Sequence, residues 1–269
     1  MGIWLVTKVE EYQVRSLTHT LAYSTILVFS FALAGIVCVI LFFVSAPYGR
    51  HARRGWGALI PNRLGWLVME SPSALVFALL FYLGSAPRNI VMVIFLGLWE
   101  AHYLHRGFIY PFSITDGKKK MPVLVMLMAF GFNVGNAFFN GWYLFTLSGG
   151  YPATWLKDYR FLLGLSIFLA GYGINRWADL RLRSLRKTGD TGYYIPYGGL
   201  YRWISCPNYF GEIIEWIGWA IATWSLPGLA FAVWTLANLA PRARAHHAWY
   251  REHFPGYPRE RKALVPGLW

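Results

Sequence analysis

Acidic residues are scarce in this chain: 12 Asp and Glu stand against 25 Lys and Arg, and charges of both signs make up only 14% of 269 residues. That is too little charge to clothe an ordinary water-facing surface, which excludes a soluble globule and a disordered chain alike. Cysteine is scarcer still. Cys38 lies inside a long apolar run and Cys206 before a distant one, so a disulfide framework and a zinc site are both excluded. No linker, repeat or low-complexity tract divides the sequence, and one domain, 1–269, is expected. What the chain has in abundance is apolar surface, 56% hydrophobic with Trp 14 and Phe 19. It reads as an all-α polytopic membrane protein.

A helix needs roughly 20 apolar residues to cross the hydrocarbon core. Seven runs qualify as spans: 21–46, 66–84, 89–105, 121–147, 160–175, 209–225 and 227–240, the last two short and joined at Pro227. The first run lies behind a polar stretch and is too long for a cleavable signal peptide, so none is expected. If the spans alternate, one side collects 20 of the 25 Lys and Arg. These are Arg50, Arg53, Arg54 and Arg63; Arg106 and Lys118 to Lys120; Arg176 to Arg202; and the tail. The rule that cationic loops stay inside places that side and the C-terminus in the cytoplasm, and the N-terminus outside.

Anionic headgroups attract such loops in many membrane proteins, and that suffices for the first loop. The loop 176–207 and the tail are different. Their cations alternate with Asn, Asp, Tyr and His, which suits a multiply phosphorylated small ligand. Neither nucleic acid nor a metal ion is expected as a partner. In the tail, Arg242, His246 and Tyr250 recur every four residues and share one face if the helix continues.

Polar groups at membrane depth are functional candidates. Glu70 follows Trp66 by one turn in an apolar helix and is expected to turn into the bundle. Glu100, His102, Tyr103, His105, Arg106 and Tyr110 crowd the end of the third span, and a tyrosine hydroxyl beside a buried glutamic acid can polarise a carbonyl. Asn133, Asn136 and Asn140, with Gly131, Gly135 and Gly141, are expected to serve helix packing. Asn175 and Asp179 share a face of the fifth span. Glu212 lies one turn after Asn208 near a helix N-terminus; Glu215 is expected to pair with a loop arginine.

The stretches "MESPS", "HYLHRGFIYP", "GYGIN", "GGLYRWISCPNYFGEIIEWIGWAIATWSLPGLAF" and the tail "RKALVP" together resemble, in that order, the steroid 5-alpha-reductases. The resemblance runs from about Tyr48 to the C-terminus and is densest over the last hundred residues. It implies a seven-span, cytoplasm-facing, NADPH-dependent reductase of the double bond of 3-oxo-Δ4-steroids, with hydride delivered to C5. It gives Glu70 and Tyr103 the catalytic role of binding the C3 carbonyl. It gives cofactor binding to Arg106, Tyr110, Asn175, Asp179, Arg186, Tyr193, Asn208, Glu212, Arg242, His246 and Tyr250, and substrate binding to Trp66. Residues from about 20 to 110 would form the substrate side and those from about 160 to 269 the NADPH side. Met69 departs from the pattern, standing where the vertebrate steroid enzymes usually carry glutamine.

The chemistry of the residues agrees with those roles. Hydride addition to an enone builds negative charge on its oxygen, which two placed donors stabilise, and the planar fork of arginine suits phosphate. Alternatives are a related membrane enone, sterol or enoyl-thioester reductase, an isoprenylcysteine-type methyltransferase, and a non-catalytic lipid-binding scaffold. The methyltransferase needs neither the Glu70 and Tyr103 pair nor several arginines. The scaffold leaves Asn175, Asp179, Asn208 and Glu212 near one membrane face without a purpose.

Overall fold

The computed structural model describes residues 2–51, 53, 55–114, 119–187, 190 and 192–269, as backbone alone up to residue 19; Arg54 and Lys118 lie outside the described residues. Each apolar run forms a helix. These are α1 (Gly2–Phe43), α2 (Asn62–Leu83), α3 (Ile90–Tyr103), α5 (Val123–Trp142), α6 (Tyr159–Ser184), α7 (Pro207–Thr223) and α8 (Leu226–His253), with a short α4 (Tyr110–Ser113) after α3. Among the described residues, three segments are long and apolar enough to cross a membrane by length and composition: Thr20–Phe43, Asn62–Leu83 and Val123–Leu147. The other helices are shorter or carry arginine-rich ends, which is where the site lies.

Aromatic side chains fill the centre. Phe77 stacks on Trp99 at 4.3 Å, and Trp216 and Trp219 pack edge-on around them. Their polar handles find partners, since Trp99 Nε1 donates to the Ser73 carbonyl and Trp219 Nε1 to Asn140 Oδ1, each at 2.9 Å. Such satisfaction is what permits tryptophan in a core.

Helices α6 and α7 meet backbone to backbone through Gly164 and Gly171 on one and Gly211 and Gly218 on the other. A Cβ on Gly171 would stand 2.3 Å from the Glu215 backbone nitrogen, and one on Gly211 would stand 2.5 Å from that of Asn175. Only glycine admits this approach. It brings Asn175 and Asp179 against Asn208 and Glu212.

Several boundaries differ from expectation. The last helix does not stop at 240 but continues through Pro241 to His253, because Ala237, Ala240 and Ala243 remain buried along it. The third and fourth spans end in π-helical turns, Leu104–Ile109 and Tyr143–Leu147. Two three-residue strands, β1 (Leu59–Pro61) and β2 (Lys120–Pro122), pair antiparallel across the loops at the pocket end. Gly131 and Gly135, expected at a helix contact, have nothing within 4 Å of a built Cβ; only Gly141 meets a neighbour, Leu80.

Candidate functional site

Two cavities stand near Glu70 and Tyr103, which line neither. The larger, about 250 Å³, sits among the loops, lined by Arg50, Trp66, Arg106, Tyr193, Arg242 and His246 among others. The smaller, about 140 Å³, lies between α1, α5 and α8 and is lined by Leu27, Gly131, Gly135, Asn136, Phe231 and Trp234 among others. The first is cationic and aromatic, the second apolar with two amides.

Across the closely packed α6 and α7, four polar residues knit together. Asn175 Nδ2 donates to the Asn208 carbonyl at 3.0 Å and to Glu212 Oε2 at 3.3 Å, and Asn208 Nδ2 donates to Asp179 Oδ1 at 3.1 Å. Arg106 projects from the π-helical turn into this group. Its nitrogens lie 3.6 Å from Asp179, 3.7 Å from Glu212 and 4.0 Å from Glu70. Trp66 and Tyr110 cover its flat faces, at 4.7 and 5.2 Å. Three carboxylates share this arginine, and further cations of the larger cavity lie elsewhere.

They gather at Tyr193. Arg50, Lys119 and Arg186 each lie within about 5 Å of its ring centroid, from three separate loops. Arg50 Nη1 is buried with no hydrogen-bond partner. Arg186 is tied by its Nε to the Gly192 carbonyl at 2.9 Å. Asp190 is the carboxylate beside Arg186 and Lys119. Arg242 adds another cation over Tyr48 and Tyr209, held by a 3.1 Å bond to Asn238. Burial draws its guanidinium down to about 10. His246 touches the rings of His51 and Tyr209. Burial first, then Arg50, Arg242 and His51, hold it well below the ordinary 6.5, so it is neutral at pH 7. Tyr250 donates to the Tyr194 carbonyl at 3.3 Å and stacks on Tyr257.

The residues expected at a cofactor therefore line or adjoin one cavity, together with others. Arg50 and His51 reach it from the first loop, where lipid headgroups offer another account of the charge, and Lys119 from the loop before α5; Tyr48, Arg183 and Tyr209 are also in the lining. Trp66, expected at the substrate, belongs to the cationic cavity.

Glu70 is half-buried on α2, its Oε2 accepting from Asn133 Nδ2 at 3.3 Å. Tyr103 is buried against Trp99 and His102, with Glu70 foremost among its charged neighbours and Ser73 and Asn136 beside its hydroxyl. Glu215 pairs with His102 at 2.8 Å and not with a loop arginine. It is fully buried, and only an adjacent helix can reach it. Asn140 does serve packing, joining Trp219 and the Pro227 carbonyl. Among the described residues no His, Cys, Asp or Glu cluster suited to a metal occurs.

A mostly helical chain with three apolar helices of membrane-spanning length, a cationic and aromatic cavity and an apolar one is the class this architecture defines. Comparison with known proteins narrows it. The family model for 3-oxo-5-alpha-steroid 4-dehydrogenase matches residues 119–269. The chain is 43% identical over 233 residues to a steroid 5-alpha-reductase of Gossypium hirsutum, covering 85% of this chain and 90% of that protein. It is likewise 43% identical over 244 residues to a Bos taurus 3-oxo-5-alpha-steroid 4-dehydrogenase, covering 87% and 92%. The human counterpart is 43% identical over 226 residues, covering 83% and 86%. The chain belongs to the 3-oxo-5-alpha-steroid 4-dehydrogenase family and is an oxidoreductase of the CH–CH type.

Proposed function

We propose that this enzyme uses NADPH to reduce the Δ4 double bond of 3-oxo-Δ4-steroids to 5-alpha-dihydro products. The observation that carries this is that Glu70 neighbours a lining residue of the cationic cavity and Tyr103 one of the apolar cavity. Arg106 links Glu70 to the first, and Asn136, beside Tyr103, lines the second.

The donor set fits NADPH. Arg50, Lys119, Arg186 and Arg242 suit a pyrophosphate and a 2′-phosphate, and the buried Arg50 Nη1 has no hydrogen-bond partner of its own. Asp179, Asn208 and Glu212 suit ribose hydroxyls and the carboxamide. When bound, the cofactor supplies a hydride from its nicotinamide ring. The chain's own part is to hold the C3 carbonyl against Glu70 and Tyr103, whose donors strengthen as charge grows on that oxygen. Arg106 holds the carboxylates of both halves in one frame. The steroid body occupies the cavity that Gly131 and Gly135 leave open, and the aromatic core excludes water.

In this reading the seven helices all cross the membrane, with the N-terminus outside and the cofactor cavity cytoplasmic. In support, the loops bearing Arg50, Lys119, Arg186 and the tail meet at one end of the bundle. The corner of α7 and α8 lies at the other, tied by Tyr151 to the Thr223 carbonyl. The chain is one reductase domain, 1–269, with its substrate side mainly in about 20–110 and its cofactor side mainly in about 160–269.

The test is product identification by mass spectrometry after incubating purified enzyme with NADPH and testosterone, progesterone and smaller enones. The 5-alpha-dihydro product is expected. Glu70→Gln and Tyr103→Phe should each lower kcat by roughly 100-fold or more. Full turnover by both variants would remove them from the mechanism, and no reduction of any enone would refute the reading as a whole.

A further inference from the structure

Asn133 lies on α5 opposite Glu70, buried to 6% exposure. Its side-chain amide makes two bonds to consecutive residues of α2. Nδ2 donates to the Met69 carbonyl at 2.6 Å and to Glu70 Oε2 at 3.3 Å. On the opposite side, Glu70 Oε1 faces Arg106 Nε at 4.0 Å, beyond hydrogen-bonding range. The carboxyl is thus suspended, with one oxygen taken by an amide and the other offered to whatever enters.

That asymmetry has a chemical meaning. A carboxylic acid donates from one oxygen only, and an N–H directed at Oε2 makes that oxygen the acceptor, so the proton resides on Oε1. The short bond to the Met69 carbonyl fixes the amide itself, because the carbonyl can only accept and the NH₂ must therefore face α2. The neighbouring side chain on α2, Met69, has no amide with which to do this. We infer that Asn133 is a positioning residue that selects which oxygen of Glu70 donates to the substrate carbonyl and keeps the carboxyl from swinging onto Arg106. This rests on the reading of Glu70 as a carbonyl-binding acid. The remaining ionisable groups around Glu70 are His102 and Tyr103 on α3 and Glu212 on α7.

A purely structural alternative exists, since Asn133 also ties α5 to α2 through the Met69 carbonyl. The two are separated by measuring kcat per folded site, with NADPH-binding stoichiometry counting the sites. Asn133→Leu removes the donor at similar size and should lower kcat for enone reduction roughly 3- to 10-fold, the value of a hydrogen bond between neutral groups. Its NADPH dissociation constant should stay within twofold. Asn133→Asp is isosteric and provides a second variant if leucine disturbs the packing. Ionised, it can only accept, and it draws the Glu70 proton onto Oε2; protonated, it again donates one hydrogen. Its kcat should therefore recover toward wild type as the pH falls from 8 to 5.5, a pH response that a packing role does not produce.

Wild-type kcat in Asn133→Leu, or no acid recovery in Asn133→Asp, overturns the inference while an inactive Glu70→Gln leaves the role of Glu70 standing. Full turnover by Glu70→Gln removes both together.

Discussion

Replacing Gly171 by alanine is expected to damage cofactor binding although residue 171 touches no ligand. The added methyl would lie 2.3 Å from the Glu215 backbone nitrogen, 2.6 Å from the Gly211 carbonyl oxygen and 2.7 Å from the Glu215 Cα. All three are backbone atoms of α7, which cannot rotate aside. Restoring ordinary contact needs the helices to separate by about 1 Å. Overpacking of this kind costs about 1–3 kcal/mol, and the rigid neighbours place it at the upper end. The same movement stretches the bonds from Asn175 to Asn208 and Glu212, now 3.0 and 3.3 Å, past useful length. Thermal melting of detergent-purified enzyme should drop by roughly 5–10 °C, and the NADPH dissociation constant by isothermal titration should rise about tenfold, one lost charged hydrogen bond. Gly173 is the control. It lies on the same helix with nothing within 4 Å of a built Cβ, and alanine there should be neutral or stabilise by about 0.5–1 kcal/mol. If Gly171→Ala melts and binds as Gly173→Ala does, the backbone contact is not what assembles the site.

Further outcomes follow from the same structure. Arg50→Ala should raise the KM for NADPH roughly 10- to 100-fold with kcat held within twofold, and NADH should be less affected; equal effects on both would remove Arg50 from the 2′-phosphate. Gly135→Leu should fill the apolar cavity and abolish turnover of testosterone while sparing a single-ring enone, and unchanged steroid kinetics would place the steroid elsewhere. Because burial and neighbouring cations hold His246 below 6.5 in the folded state, the unfolded chain binds its proton more readily. Its contribution is thus present above pH 6.5 and is lost as the pH falls below that value. The melting temperature of ligand-free enzyme should decline from pH 7.5 to 5.5, less steeply in His246→Gln; identical slopes would refute the assignment.

The seven helices were legible because apolar runs of this length have few other folds open to them. Their ends were less so. The continuation of α8 past Pro241 depends on buried alanines, which only tertiary contact distinguishes from exposed ones. Asn175, Asp179, Asn208 and Glu212 were recognisable because each keeps its place on a helix near a motif. Arg50, His51 and Lys119 were not. They reach Tyr193 through irregular loops, and no periodicity reports where such a loop folds back. Gly131 and Gly135 illustrate a further limit, since a glycine that admits a neighbour and one that leaves a void are written identically.

Helix α1 completes the wall of the apolar cavity with Leu27 and Ser30. It is anchored by Tyr23, whose hydroxyl donates to the Phe139 carbonyl, and by packing along α8 that buries Leu27 against Ala230. Most of its remaining described side chains are exposed on the bundle's outside. A lipophilic substrate behind so thin a partition equilibrates with the surrounding lipid and not with the buffer. Its effective concentration is then moles per mole of lipid or detergent. Diluting the enzyme into more micelles at constant total steroid should slow it as though substrate had been withdrawn, and Michaelis constants will agree between preparations only when expressed as mole fractions.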